Sequence, residues 1–332
     1  MNLEERILAF ADLGEYLKND IYKYDQERLS LAEILNPWFT QENISYSLNS
    51  WSKQLNKEML SSWLDPYKLN DEVIAKKVLI VMAGNIPLVG FHDLLTVLIC
   101  GHNVVVKMSK SDNILIDIII NRLIESGFRD YITFIDDVQE RQFDAVITTG
   151  SNNSSRYFEY YFREVPRIIR KNRCSVAILD GSESVRDLEG LARDIFLYFG
   201  LGCRNVSKLY LPAGYDLDIL FQSFYPYSNL LQHKKYANNY DYHKAIFLLG
   251  NHNLTENGFL LLKEDRSLFS PVSMLYYEFY NKRSSIDEFI ADNSENLQCI
   301  VSKENIAFGE SQKPNLWDYA DGIDTIDFLR KI

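Results

Sequence analysis

The hydrophobic and polar positions divide the chain into three regions. Residues 1 to about 75 carry apolar side chains at helical spacing, so this region is predicted to be helical. From Val78 to Leu179, short continuous apolar runs alternate with amphipathic segments, which is typical of a parallel sheet buried on both faces. This alternation predicts a doubly wound, Rossmann-like α/β domain. The strands and helices predicted after residue 200 form a second α/β domain.

Strands are predicted where β-branched and aromatic residues cluster between turn residues. In the first α/β domain they cover 78–83, 104–106, 131–135, 145–148 and 176–179. In the second they cover 208–211, 245–249, 259–262, 274–279 and 298–301. The domain boundaries that follow are 1–75 for the helical segment, 76–200 and 201–310 for the two α/β domains, and 311–332 for a C-terminal tail.

Composition and charge narrow the classes of protein that fit. The 332 residues exceed what a single core normally supports, which agrees with two domains. A formal net charge of −11 argues against a nucleic-acid partner. No apolar run reaches the roughly 18 residues of a transmembrane helix, and the acidic N-terminus does not resemble a secretory signal. The four cysteines form no C-x-x-C pair, so we expect reduced thiols in a cytoplasmic protein.

One cysteine lies where a protein could present a nucleophile. A predicted amphipathic helix ends near Phe199, and Gly200-Leu201-Gly202-Cys203 follows before the next strand. The glycines leave room for a substrate beside the thiol, and the flanking elements would hold the turn. An unbridged cysteine is, however, usually a small buried apolar residue. The pattern alone leaves both interpretations of Cys203 open.

Polar turns follow three strands of the first α/β domain. Because ligands bind such sheets at the carboxyl ends of the strands, these turns are candidate binding residues. An amide there can donate to an oxyanion, while cations, hydroxyls and the start of a helix suit a phosphate. Each turn also has a simpler interpretation as a solvated strand end. The residues are Asn85 after the first strand, Lys107, Ser109 and Lys110 after the second, and Gly150 and Ser151 after the fourth.

Several common catalytic motifs are absent from the sequence. It contains no G-x-G-x-x-G after the first strand, no Walker loop and no Gly-x-Ser-x-Gly elbow. The five histidines form no His-x-x-x-His pair, which disfavours a zinc hydrolase. His233 and His243 are interpreted as surface residues, with a general base as the alternative. The sequence therefore does not indicate a standard dinucleotide fingerprint, a serine hydrolase or a metal centre.

Four segments in order resemble the acyl-CoA reductase branch of the aldehyde dehydrogenase superfamily, which includes the reductase subunit of the bacterial bioluminescence fatty-acid reductase complex. The segments are Ala83-Gly84-Asn85-Ile86-Pro87, Val104 to Lys110, Thr148-Thr149-Gly150-Ser151 and Gly202-Cys203. The tail at 312–322 is also similar to small bacterial acyl-CoA reductases. The resemblance implies an aldehyde dehydrogenase-like fold, with a nucleotide-binding domain at 76–200 and a catalytic domain carrying the cysteine at 201–310.

The resemblance also implies a role for each candidate residue. Cys203 would take the acyl group from a thioester, and Asn85 with the amide of Cys203 would form the oxyanion hole. Lys110 stands where many NAD-dependent relatives carry a glutamate, so NADPH is expected over NADH. The cofactor-binding residues implied are Lys107, Ser109 and Lys110 at the adenosine ribose, and Gly150 and Ser151 near the adenine or diphosphate.

The sequence departs from hydrolytic aldehyde dehydrogenases in one stretch. Those enzymes carry a general-base glutamate before the catalytic cysteine, whereas residues 165–173 contain no acid. Water would then attack the acyl-enzyme poorly, which favours reduction of an acyl-CoA to the aldehyde, and a fatty acyl-CoA is the expected substrate. Arg204 is a candidate for lowering the pKa of Cys203. Two alternative functions stay open: a reductase of an acyl phosphate and a non-catalytic binding subunit. An acyl-activating synthetase is a candidate partner. The family resemblance also leads us to expect a homo-oligomer.

Overall fold

The computed structural model describes residues 1–71, 73–138, 142–150 and 152–332, and these form two compact units. The first unit comprises Met1–Asn172 and Asn315–Ile332, and the second comprises Arg173–Pro314. Each unit has its own sheet and its own apolar core. None of the helices built from the described residues has both the length and the hydropathy of a membrane-spanning segment.

The N-terminal segment of the first unit is helical, as predicted. Polar side chains cap the starts of three of its helices: Asn2 forms a capping box with Glu5, while Thr40 and Asn56 each accept a hydrogen bond from a backbone N–H. A helix ends at Leu35 because Pro37 follows. The helices are α1 Leu3–Asn19, α2 Ile21–Tyr24, α3 Gln26–Leu35, α4 Gln41–Gln54 and α5 Lys57–Leu64, followed by a 3-10 turn at Asp65–Tyr67.

The sheet of the first unit has five parallel strands in the order β3-β2-β1-β4-β5. The alternation of strand and helix confirms the predicted doubly wound architecture. The elements are β1 Lys77–Val81, α6 Phe91–Ile99, β2 Asn103–Lys107, α7 Asn113–Leu123, β3 Ile132–Phe134, β4 Ala145–Thr149, α8 Asn152–Tyr161 and β5 Arg167–Arg170. A π-helical turn at Ile124–Phe128 and a 3-10 turn at Arg129–Tyr131 precede β3.

Apolar side chains cover both faces of this sheet. On one face, Ile80 and Val104 belong to the same buried cluster as Phe10 and Leu13 of α1. On the other face, Leu79, Val105 and Val146 pack with Phe162. The helical N-terminal segment is therefore part of the core of this unit, because it covers one face of a sheet whose strands are apolar on both sides.

The second unit contains a six-stranded sheet in the order β11-β6-β7-β10-β9-β8. The strands are parallel except for the β8–β9 pair, which is antiparallel. The elements are β6 Cys174–Ile178, α9 Val185–Phe196, β7 Val206–Pro212, α10 Leu217–Phe224, α11 Lys234–Leu249, β8 Thr255–Glu256, β9 Leu261–Glu264, β10 Met274–Tyr280, α12 Arg283–Asp292 and β11 Leu297–Val301. Shorter 3-10 turns lie at Leu197–Gly200, Tyr225–Gln232 and Ser294–Asn296.

Some details of the sequence prediction differ from the structure. The strand predicted at 176–179 corresponds to β6, which pairs with β7 and β11 in the second sheet and not with the first sheet. The division between the units accordingly falls after Asn172, where the sequence pattern placed it near residue 200. The strand predicted at 245–249 is wrong, because these residues form the end of α11.

The C-terminal residues return to the first unit and are tied to it by a buried ion pair. Helix α13, Thr325–Leu329, follows a 3-10 turn at Ala320–Gly322. Arg170, at the end of β5, donates to Asp93 of α6 at 2.7 and 3.3 Å. The same guanidinium donates to the carbonyl of Ala320 and to the hydroxyl of Thr325. One arginine thus joins a strand, a helix and the tail.

Candidate active site

The carboxyl ends of the central strands in the first unit lie side by side. Val81 of β1 is in register with Lys107 of β2 and with Thr148 of β4. The turns that begin after these residues therefore start at the same edge of the sheet. The structure brings together Asn85, Lys107, Ser109, Lys110 and Gly150 at this edge, whereas Cys203 belongs to the second unit. Ser151 lies outside the described residues.

The turn that carries Asn85 is held from both sides. Asn85 itself is exposed, while Pro87 and Leu88 are buried. The hydroxyl of Ser47, on α4, donates to the carbonyl of Pro87 at 2.9 Å. The N–H of Leu88 donates to a carboxyl oxygen of Asp112 at 2.7 Å. These contacts fix the turn, including Leu88 in a left-handed conformation (φ 58°) that a leucine adopts only under constraint.

Asp112 is an unusual group to find beneath this turn. It is 2% exposed, and among the described residues its second carboxyl oxygen has no hydrogen-bond partner. Burial raises the pKa of this carboxyl well above its usual range, and the bond from Leu88 only partly opposes that shift. Asp112 is therefore a buried carboxyl that holds the Asn85 turn and whose neutral form is favoured by burial, and the sequence pattern did not single it out.

The second turn packs directly against the first. The hydroxyl of Ser109 accepts a hydrogen bond from the N–H of Ser111 at 3.2 Å. A Cβ at Gly84 would lie 2.5 Å from that hydroxyl, so only glycine allows this approach. Asn36 donates to the carbonyl of Ser111 at 3.1 Å. Both turns thus depend on the helical N-terminal segment, for which the sequence suggested no such contact.

The cations of the second turn differ in exposure. Lys107 is half-buried and Lys110 is exposed. Two ammonium groups and a hydroxyl at one edge of a parallel sheet suit the ribose and phosphate of a nucleotide. At the third turn, the N–H of Gly150 donates to the carbonyl of Arg170 at 3.3 Å, which extends the pairing of β4 with β5. That amide is already used within the sheet, so the remaining amides at the start of α8 are the better anion donors.

Cys203 occupies a short turn between α9 and β7. Tyr198, Phe199 and Gly200 have φ values of 54°, 57° and 77°, so the chain turns through three successive left-handed residues. The N–H of Asn205 then closes a turn onto the carbonyl of Gly202 at 3.1 Å. The carbonyl of Cys203 accepts a hydrogen bond from the hydroxyl of Ser175 at 2.9 Å. Strain of this kind persists only where surrounding contacts impose it, which is common at functional turns.

The cysteines differ in their surroundings, and all four lie in the part of the chain that the structure describes. Cys203 is partly exposed, whereas the other three are buried. Burial raises the pKa of Cys100 to about 12 and that of Cys174 to about 11, so both remain protonated thiols. Arg204, the candidate activator of Cys203, donates to the sulfur of Cys299 at 3.3 Å. Exposure therefore distinguishes Cys203 as the thiol that a substrate can reach.

His233, one of the two histidines interpreted as surface residues, makes specific contacts in the structure. His233 caps the start of α11, where its Nδ1 accepts from the N–H of Tyr236 at 3.4 Å. Its ring also lies against Phe199, with 4.4 Å between the ring centroids. The spacing of His233 and Phe199 in the sequence gives no hint of this contact.

Solved structures of aldehyde dehydrogenases share this fold. The enzyme from Mycobacterium tuberculosis, complexed with NAD+, matches with a TM-score of 0.67 and 13% identity over 88% of this chain and 71% of that one. Indole-3-acetaldehyde dehydrogenase AldA of P. syringae, in complex with NAD+ and IAA, matches with a TM-score of 0.68 and 13% identity over 91% of this chain and 72% of that one. The NAD+ complex of the aldehyde dehydrogenase from Bacillus cereus matches with a TM-score of 0.65 and 12% identity over 91% of this chain and 72% of that one. The chain therefore has the aldehyde dehydrogenase fold.

The sequence itself identifies the branch of this fold. A model of the acyl-CoA reductase (LuxC) family matches residues 11–219, more than half of the chain, and the chain belongs to this family. None of the curated proteins compared with it matches. These findings confirm the resemblance and the fold class that the four segments indicated. The family match includes Asn85, Lys107, Lys110 and Cys203 within its range.

Proposed function

We propose that this protein reduces an acyl thioester, a fatty acyl-CoA in the first instance, to the aldehyde with NADPH through an acyl-Cys203 intermediate. The observation that carries the proposal is the partly exposed Cys203 on a turn fixed by hydrogen bonds, in a chain of the acyl-CoA reductase family. The absence of an acid from residues 165–173 supports reduction over hydrolysis, because no carboxylate there would activate water.

The first half-reaction is acyl transfer to the protein. The Cys203 thiolate attacks the carbonyl carbon, the new carbon–sulfur bond forms, and the bond to the departing thiol breaks. The thiol leaves as a thiolate and takes up a proton from water. The side-chain amide of Asn85 and the N–H of Cys203 donate to the oxygen that becomes negative in this step. The contacts of Pro87 and Leu88 would keep the Asn85 turn fixed during the reaction.

The residues at the edge of the first sheet fit a nicotinamide nucleotide. Lys107, Ser109 and Lys110 provide two cations and a hydroxyl, and the glycine at position 84 allows the two turns to approach. NADPH, when bound, supplies a hydride to the acyl carbon. The two electrons convert the acyl-Cys203 into a thiohemiacetal anion, which Asn85 stabilises. This anion then collapses to the aldehyde and regenerates the Cys203 thiolate.

The proposal is tested by the intact mass of the protein after mixing with a long-chain acyl-CoA in the absence of cofactor. We expect one acyl adduct on the wild type and none on Cys203→Ala. Adding NADPH should discharge the adduct and release the aldehyde. Acetyl phosphate and longer acyl phosphates serve as the competing acyl donors.

A matched control uses another cysteine of the same unit. Cys174→Ala removes a buried thiol whose pKa is raised to about 11, so its adduct should equal that of the wild type. An adduct that persists in Cys203→Ala would overturn the assignment of the nucleophile. A wild type that forms the adduct from acyl phosphates alone would overturn the thioester as substrate.

A further inference from the structure

The side chain of Asn205 joins the Cys203 turn to the end of α9. It is 2% exposed. Its carbonyl oxygen accepts a hydrogen bond from the N–H of Gly202 at 2.9 Å. Its amide nitrogen lies within hydrogen-bond distance of three carbonyls at the end of α9, those of Asp194 (3.1 Å), Ile195 (3.3 Å) and Leu197 (2.7 Å). These are carbonyls that the last turn of a helix leaves without intrahelical partners.

The main chain of Asn205 adds two further contacts on the other side. Its N–H donates to the carbonyl of Gly202, and its carbonyl accepts from the N–H of Ser175 on β6 at 3.3 Å. Residue 205 is therefore bonded to the helix before the nucleophile, to the nucleophile turn and to the neighbouring strand. Tyr198 and Phe199, the two left-handed residues here that are not glycine, would not be held in place by their own conformational preference.

Helix α9 is in turn fixed to the segment after β11. A Cβ at Gly190 would lie 2.7 Å from the carbonyl of Phe308, so helix and segment touch backbone to backbone. One turn later, the buried carboxyl of Asp194 accepts from the N–H of Gly309 at 2.6 Å and from the N–H and hydroxyl of Ser311 at 3.1 and 2.8 Å. The helix end to which Asn205 is bonded is thus rigidly placed.

We propose that Asn205 is the positioning residue for the nucleophile. Its hydrogen bonds hold the main chain of the Cys203 turn against the end of α9, which is itself fixed in place. This inference rests on the proposed function, because a position matters only if Cys203 attacks an acyl group. A nucleophile displaced by about 1 Å loses roughly a hundredfold in rate, although its thiol keeps its reactivity toward small reagents. Asn205 acts through the turn and does not touch the substrate.

The test compares Asn205→Ala with Asn257→Ala. Asn257 is a second asparagine of the same unit whose side chain holds a turn, since its oxygen accepts from the N–H groups of Phe259 and Leu260 at 3.3 and 3.0 Å. Both variants lose side-chain hydrogen bonds within a turn, so both are expected to lower the melting temperature followed by far-UV circular dichroism. A merely structural role predicts the same catalytic behaviour for both.

Two rates distinguish the position of the Cys203 thiol from its chemical reactivity. Acylation by a long-chain acyl-CoA should fall roughly 10- to 100-fold in Asn205→Ala and remain at the wild-type value in Asn257→Ala. Alkylation of Cys203 by iodoacetamide, followed by peptide mass, should change less than about threefold in both, because it needs the thiolate but no alignment. Equal losses in both rates, or an unchanged acylation rate, would overturn the positioning role.

A third measurement does not depend on the proposed function. Amide hydrogen exchange at Gly202 should accelerate about tenfold in Asn205→Ala, because its acceptor is lost, and should be unchanged in Asn257→Ala. If Asn205→Ala does not fold, Asn205→Ser takes its place: a hydroxyl can accept from the N–H of Gly202 or donate to one of the three carbonyls, so exchange at Gly202 should accelerate by less than about tenfold. A wild type that is alkylated but never acylated would contradict the proposed function, while exchange at Gly202 would still decide whether Asn205 holds the turn.

Discussion

At the scale of single residues, the buried carboxyl of Asp112 makes the stability of the first unit depend on pH. In the unfolded chain it ionises near its usual pKa of about 4, whereas burial raises its pKa well above that range in the folded state. The contribution of Asp112 to the free energy of unfolding is therefore fully present below about pH 4 and is lost as the pH rises toward the pKa of the folded state. Each pH unit in that window costs about 1.4 kcal/mol of unfolding free energy.

Asp112→Asn removes this dependence and keeps an acceptor for the N–H of Leu88. We expect the unfolding free energy of the variant, relative to the wild type, to increase between pH 4 and pH 8. Urea unfolding at the two pH values measures it, and comparing the two proteins cancels the titration of all other groups. A difference that does not change with pH would mean that Asp112 is ionised in the folded state.

Asp112→Leu also loses the contact to Leu88 and should slow acylation through the Asn85 turn.

The residues proposed to have a chemical function carry a clearer sequence pattern than the residues that hold them in place. Asn85, Lys107 and Lys110 follow apolar strands, and Cys203 follows a helix and two glycines, so short sequence patterns indicate them. Asp112, Ser47 and Asn205 carry no such pattern. Asp112 and Ser47 bond to backbone groups 24 and 40 residues away, and any polar side chain in a turn looks the same until the fold is known.

At the scale of elements, the buried pair of Arg170 and Asp93 links β5 to α6. Their side chains are 5% and 9% exposed. Removing one partner leaves the other charge buried without compensation, which usually costs about 3–5 kcal/mol. We expect that loss for Asp93→Ala, measured by urea unfolding. The double variant Asp93→Leu/Arg170→Met should recover part of it, because apolar side chains of similar volume replace the pair while the bonds of Arg170 to Ala320 and Thr325 stay lost.

An exposed ion pair of the same unit serves as the comparison. The side chains of Lys57 and Glu4 are 57% and 70% exposed, and such pairs contribute roughly 0–1 kcal/mol. Lys57→Ala should therefore have little effect on urea unfolding. If Asp93→Ala were equally mild, the buried pair would not be what joins β5, α6 and the tail.

The same elements show where prediction from the sequence reaches its limit. The continuous apolar runs of β1, β2 and β4 and their intervening helices were correctly interpreted, because both faces of these strands are buried. Strand β5 was missed, since arginines at both of its ends interrupt the apolar run. Strand β6 was recognised but placed in the wrong sheet, because its partner β11 lies more than 100 residues later in the chain.

At the scale of the whole molecule, the tryptophans give a signal that reports on one unit. All four of them, Trp38, Trp51, Trp63 and Trp317, belong to the first unit, and the second unit has none. The residues proposed to bind the nucleotide are also in the first unit, whereas Cys203 is in the second. Thermal unfolding followed by tryptophan fluorescence therefore measures nucleotide binding where the proposal places it.

The proposed cofactor should stabilise the first unit, because the residues proposed to bind it lie there and do not include Cys203. With NADP+ at 100 times its dissociation constant, binding contributes about 2.7 kcal/mol, which corresponds to a rise of roughly 5–10 °C in the fluorescence-detected melting temperature. Cys203→Ala should keep this rise. Lys110→Glu should reduce it for NADP+ and spare it for NAD+, because a carboxylate repels a 2′-phosphate but can hold a 2′-hydroxyl. The loss of one charged hydrogen bond, about 2 kcal/mol, corresponds to roughly 30-fold in affinity.

Lys53→Glu is the matched control, since it reverses an exposed lysine of the same unit, on α4, that is not among the residues proposed to bind the nucleotide. It changes the net charge by the same amount as Lys110→Glu and should leave the response to both nucleotides intact. Equal effects of the two reversals would show that overall charge, and not the residue after β2, governs nucleotide choice. A wild type stabilised more by NAD+ than by NADP+ would contradict the NADPH preference while leaving Cys203 as the proposed nucleophile, because the two assignments rest on residues of different units.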